Sequence, residues 1–132
     1  MHLVRVCRKS DGVYVRILVS GGPKVGKTTL AATFGAHVMH TDMLPGWSEA
    51  SAKAAEWMLQ PGPWVIEGTA VVRAVRKFIH NSVAKPCDIF MYGINPKVPR
   101  SAGQISMAKG CETIFREVVA ELISRGVIVE TF

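Results

Sequence analysis

The chain has 132 residues, 48% of them apolar and 20% charged, and a net charge of +6. That balance excludes a disordered chain, and the length has room for one packed domain but not for two. No run of roughly 18 apolar residues is present to span a bilayer, and Met1 to Arg5 lack the apolar stretch of a secretory leader, so a cytoplasmic protein without a membrane partner is expected.

In chain order, Leu3 to Cys7 alternates as LVRVC before the turn signal Ser10-Asp11-Gly12, which predicts an N-terminal hairpin strand within residues 1–13. Tyr14 to Ser20 (YVRILVS) is a β-branched run that stops at Gly21-Gly22, and a helix is expected from Lys27 to about Ala36. Ala36 to Thr41 then reads as a second strand ending near Asp42, and Leu44-Pro45-Gly46 breaks the chain. An Ala-rich helix is predicted from Ser48 to about Leu59, stopped by Gln60-Pro61-Gly62-Pro63. Trp64 to Glu67 reads as a buried strand, and Val71 to His80 carries apolar residues at helical spacing.

Asp88 to Tyr92 predicts a fourth core strand, Asn95 to Gly103 an irregular loop, and Gln104 to Ser124 a long helix closed by Gly126 before a last strand at Val127 to Val129. Strands and helices alternate throughout. The expectation is therefore an α/β fold with right-handed crossovers and a mainly parallel sheet covered on both faces. The three cysteines, Cys7, Cys87 and Cys111, show neither a disulfide framework nor a zinc spacing and read as buried small residues in a reducing compartment.

Gly21-Gly22-Pro23-Lys24-Val25-Gly26-Lys27-Thr28 satisfies G-x-x-x-x-G-K-[ST], with the required strand before it and helix after it. Glycines let the backbone curl so that successive N–H groups point inward, and the following helix N-terminus adds positive potential for phosphate. Lys27 is placed to reach the β- and γ-phosphates, Thr28 to offer its hydroxyl to Mg²⁺, and Thr29 extends the set into the first helical turn.

This stretch resembles the P-loop nucleoside-triphosphate-binding family. The resemblance implies ATP and Mg²⁺ as ligands and a three-layer fold. An acidic strand only about 40 residues after the loop is similar to the small kinase branch, for which the implied strand order is 2-3-1-4-5. On that likeness Asp42 is the candidate base toward the accepting hydroxyl, with the cap of a turn before Pro45 as the alternative. Glu67 takes the place of the second acidic group, which implies holding Mg²⁺ through water or binding the acceptor, or else it makes a structural salt bridge. The segment 95–103 corresponds to the lid, with Lys97 and Arg100 closing over the triphosphate and Arg100 acting in catalysis, or alternatively to a rigid proline-containing loop.

Met39-His40-Thr41-Asp42, Gly46-Trp47-Ser48-Glu49-Ala50-Ser51 and Pro61-Gly62-Pro63-Trp64-Val65-Ile66-Glu67-Gly68 further resemble P-loop kinases of bacteriophages. Some of that group phosphorylate 5-hydroxymethyluracil within phage DNA. The likeness implies an acceptor site near Asp42, Trp47, Arg73 and Arg76, with DNA as the acceptor-bearing partner. Trp47 or Trp57 would stack on a base, unless both pack the core, and the bases from Arg73 to Lys109 would follow a phosphate backbone, unless they form a solvated face. A free nucleoside, a nucleotide or a small metabolite remains an open acceptor, and an ATP-binding regulator with slow hydrolysis is the competing expectation from another class.

Overall fold

The computed structural model describes residues 15–35 and 37–132. The hairpin strand expected within residues 1–13 lies outside them, as does Cys7. Ten elements follow one another: strand β1 (Arg16–Gly21), helix α1 (Lys27–Ala32), strand β2 (Val38–His40), a single 3₁₀ turn (Thr41–Met43), helix α2 (Trp47–Trp57), strand β3 (Trp64–Glu67), helix α3 (Val71–Asn81), strand β4 (Ile89–Gly93), helix α4 (Ala102–Ser124) and strand β5 (Ile128–Thr131). The five strands form one sheet in the order β2-β3-β1-β4-β5, and every pairing is parallel, as expected.

Period-2 alternation divides the central strands between two cores. Leu18 lies in register with Ile66 and Phe90, and these side chains pack against Val71, Val75, Cys111, Ile114 and Val118 from α3 and α4. Their neighbours Ile17, Val19, Val65, Ile89 and Met91 face the other way and meet Ala31 and Phe34 of the α1 segment. β1 is fully buried along Ile17, Leu18 and Val19 because it is central and covered on both faces, which is why it reads as a continuous apolar run.

The element ends differ from expectation for local reasons. α1 stops at Ala32, short of Ala36, where the Thr33 hydroxyl turns back to donate to the Leu30 carbonyl at 2.7 Å. α4 starts at Ala102, two residues before Gln104, because Ser101 caps it: its hydroxyl accepts from the Gln104 N–H at 3.2 Å while the Gln104 side chain accepts from the Ser101 N–H at 2.9 Å. At the far end of α4 the Gly126 N–H bonds the Ile123 carbonyl and the Val127 N–H bonds the Leu122 carbonyl, both at 3.0 Å, closing the helix where Gly126 predicted.

All strands point the same way, so their C-terminal ends share one edge. The loop 21–28 follows β1 there, Asp42 follows β2, and Gly68 follows β3. That edge is where an open parallel sheet leaves a crevice. Among the described residues no helix is long and apolar enough to cross a membrane.

Candidate active site

The loop between β1 and α1 reverses direction through Lys24 and Gly26, both in the left-handed region at φ 69° and 88°. Val25 between them is fully buried, anchoring the loop from beneath while its neighbours stay at the surface. Lys27, only 7% exposed, extends back across the loop, and its Nζ donates to the Gly22 carbonyl at 2.9 Å. Burial pushes the Lys27 amine below its ordinary value, with the Asp42 and Glu67 carboxylates pulling the other way. A cation is thus held in a desolvated position inside the curl of a loop rich in N–H groups.

Glu67 lies in register with Val19 and with His40, so its side chain emerges on the α1 face of the sheet. There the Thr28 hydroxyl donates to Glu67 Oε2 at 3.2 Å, and His40 Nδ1 lies 2.5 Å from the same oxygen. Glu67 is buried, and its second carboxylate oxygen, Oε1, is buried without a hydrogen-bond partner among the described residues. An unpartnered buried carboxylate oxygen beside a threonine hydroxyl fits Mg²⁺, which takes one or two protein oxygens and otherwise keeps waters and phosphate oxygens. No group of three or more His, Cys, Asp and Glu is assembled among the described residues, so an all-protein metal cage is not what this site offers.

Asp42 sits in the 3₁₀ turn after β2, and its Oδ1 accepts from the Thr69 N–H at 3.0 Å. The bond clamps the end of β2 to the turn after β3 and leaves the rest of the carboxylate exposed. Gly68 makes the clamp possible: its φ is +145°, and a Cβ there would overlap the Thr41 hydroxyl. Asp42 and Lys27 line one cleft of about 510 Å³, walled by Pro23 and Lys24 of the loop, Trp47 at the start of α2, and Gln104 and Met107 of α4. That size suits a small ligand or one reacting end of a larger one.

The remaining candidates divide. Arg100 reaches the loop, its Nε donating to the Pro23 carbonyl at 2.6 Å, and the Lys97 N–H bonds the Lys24 carbonyl at 2.7 Å. The segment 95–103 is therefore tied to the loop backbone in this conformation. Arg73 stacks its guanidinium 5.1 Å from the Trp47 ring centroid, and its Nε is buried without a partner among the described residues. Arg76, expected beside it at an acceptor, instead reaches across to α4, 3.5 Å from Glu117. Trp57 packs against the main core, whereas Trp47 stays 41% exposed. Thr29 is exposed on the first turn of α1 and makes no side-chain hydrogen bond among the described residues.

Nor do the bases from Arg73 to Lys109 form one belt. Lys85 pairs with Asp88 at 3.2 Å, and Asp88 is bound to the Arg16 N–H at the N-terminal edge of the sheet, the full length of the strands away from the loop. Several residues that hold the site carry no sequence signal of doing so. The buried Ser20 hydroxyl donates to the Gly68 carbonyl at 2.9 Å and accepts from the Val72 N–H at 3.2 Å, locking β1, the turn and α3 together. Cys111 lies fully buried under the Thr69 carbonyl, and burial raises its thiol pKa, which disfavours the thiolate. Compared with the models of known protein families and with curated proteins, the chain matches none.

Proposed function

We propose that the chain is an ATP- and Mg²⁺-dependent phosphotransferase that moves a γ-phosphoryl group to a hydroxyl acceptor held in the Asp42 cleft. One observation carries the proposal: the Lys27 amine of the phosphate-loop motif and the Asp42 carboxylate line the same cleft. A hydrolytic regulator needs a cation and a loop, but it does not need an exposed carboxylate facing them across a cavity.

In the proposed reaction the acceptor oxygen forms a bond to the γ-phosphorus as the bond to the β,γ-bridging oxygen breaks, giving ADP and a phosphate monoester. The hydroxyl proton passes to Asp42 and on to solvent. Asp42 is held for this by Thr69, so its second oxygen and its lone pairs remain free toward the cleft. Lys27 leaves the Gly22 carbonyl for the phosphate oxygens, and Arg100 exchanges its bond to Pro23 for the charge that develops on the transferred group. Mg²⁺, held by Thr28 and by Glu67 through water, would neutralise charge on the phosphates when bound.

For the acceptor we propose 5-hydroxymethyluracil in DNA, with the base lying against Trp47. The half-exposed indole, backed on one side by Arg73, supports a planar heterocycle. The separation of Lys85 from the cleft favours a second possibility, a free nucleoside or small metabolite that needs no long phosphate track.

The test is transfer of label from γ-labelled ATP with Mg²⁺, offered duplex DNA containing 5-hydroxymethyluracil, unmodified DNA and a panel of free nucleosides. Label in the modified DNA alone is the expected result. Label in a nucleoside alone keeps the phosphotransferase and replaces the acceptor, whereas free phosphate alone, independent of any acceptor, replaces it with a nucleotide hydrolase.

A further inference from the structure

We infer that His40 is a positioning residue for the metal-binding carboxylate: its Nδ1–H fixes the rotation of Glu67 so that Oε1 faces the space where a cation on the Thr28 hydroxyl would sit. The inference rests on the phosphotransferase proposal, because it assigns Glu67 to Mg²⁺.

Four observations meet at this point. His40 and Glu67 are register partners on adjacent parallel strands, so their side chains leave the same face at the same level. His40 Nδ1 lies 2.5 Å from Glu67 Oε2, and since a carboxylate oxygen only accepts, the ring nitrogen carries the hydrogen. Thr28 Oγ1 donates to that same oxygen at 3.2 Å, so one carboxylate oxygen takes two donors while the other takes none. Finally, the two side chains differ sharply in exposure, His40 at 36% and Glu67 at 2%. The ring is reachable from outside, and the carboxylate it orients is not.

A glutamate has three rotatable bonds, and burial alone does not set the last one. Without a donor on Oε2 the carboxylate is free to turn about Cγ–Cδ and present either oxygen, or an edge, toward Thr28. Two donors on one oxygen remove that freedom and leave Oε1 as the only site that still lacks a partner. This is the arrangement by which a neighbour tunes a metal site: it makes no contact with the metal but fixes the carboxylate that holds it through water. It also accounts for a glutamate at the end of β3. A longer carboxylate spans from the strand to a hydroxyl on α1, and needs a second anchor to be held there.

The experiment measures binding, not turnover. The β,γ-imido analogue of ATP is titrated into wild-type protein, His40→Leu and His40→Asn, first in EDTA and then at rising Mg²⁺. Asn is the conservative variant because its side-chain amide offers an N–H close to where Nδ1 stood. For His40→Leu we expect unchanged affinity in EDTA, which also shows that the variant is folded, and about a 10-fold or greater rise in the Mg²⁺ concentration that gives half of the metal-dependent gain. His40→Asn should return most of that shift.

A Mg²⁺ midpoint in His40→Leu equal to wild type overturns the inference, as does an equal loss of affinity in EDTA and in Mg²⁺ for both variants. Wild-type protein that fails to bind the analogue under either condition instead removes the phosphotransferase proposal itself.

Discussion

Lys27 is a charged side chain kept in a place that disfavours its charge. Its amine is desolvated, its nitrogen donates to the Gly22 carbonyl, and burial lowers its pKa from the ordinary 10.5. Between the lowered value and 10.5 the unfolded chain binds more protons than the folded one, so in that window the ligand-free protein gains stability as the pH rises. A triphosphate reverses the balance by supplying the missing anion, which raises the amine pKa again. Nucleotide binding in that window should therefore take up protons, and affinity should fall as the pH climbs. Calorimetry in buffers of different ionisation enthalpy reads the uptake directly; Lys27→Ala should abolish it and slow transfer on the order of 10³-fold or more. Proton uptake that persists in Lys27→Ala would assign it to another group. Asp42 behaves differently because it is exposed and half-engaged. Asp42→Asn keeps an oxygen for the Thr69 N–H, so the turn should hold and ATP should bind as before, while transfer falls by roughly 10²–10⁴-fold. Transfer at the wild-type rate in that variant would leave Asp42 as the cap of a turn and nothing more.

At the scale of elements, the site depends on a turn of three residues after β3. Ser20, Thr41 and Asp42 bond to Gly68, Glu67 and Thr69 from the ends of β1 and β2, and the Val72 N–H of α3 joins them through the Ser20 hydroxyl. Gly68→Ala forces a Cβ into the Thr41 hydroxyl at a left-handed φ, which should cost about 1–3 kcal/mol and displace Asp42 with it. Denaturant unfolding and transfer rates measured together check this: a wild-type midpoint would mean that Thr41 has room to move. The strands themselves were legible because burial on both faces writes apolar runs such as ILV and WVI, and the loop motif is legible because its glycines and its lysine serve a backbone geometry. Gly68 gave no such signal. Its need comes from a side chain 27 positions earlier in the chain, Thr41, which sequence spacing does not bring near. The same holds for His40 and Glu67, neighbours only once β2 pairs with β3. Arg73 and Arg76 show the opposite: one turn apart on α3, they are alike in sequence, but Arg73 lies against Trp47 whereas Glu117 of α4 draws Arg76 away.

For the whole molecule the question is which of its positive charges face the acceptor. Among the described arginines, Arg16, Arg76, Arg116 and Arg125 each pair with a carboxylate, whereas Arg73 and Arg100, beside Trp47 and the loop, do not. Of the lysines, Lys85 is spent on Asp88 at the N-terminal edge of the sheet, while Lys24, Lys97 and Lys109 are exposed near the loop. Because every strand is parallel, Lys85 lies at the opposite edge of the sheet from the cleft, and a duplex whose target base enters the cleft need not reach it. Each phosphate contact contributes a slope of about −0.9 to the dependence of log affinity on log salt. If DNA carries the acceptor, Lys97→Ala should flatten the measured slope by roughly that amount and Lys85→Ala should leave it unchanged. Equal effects from the two would mean that DNA wraps the sheet from end to end, and the base at Asp42 would then have to be reached from a path other than the cleft mouth. A slope that neither substitution changes, in a protein that still transfers phosphate, would point to a small acceptor: one that meets Trp47 and Asp42 and has no backbone to follow.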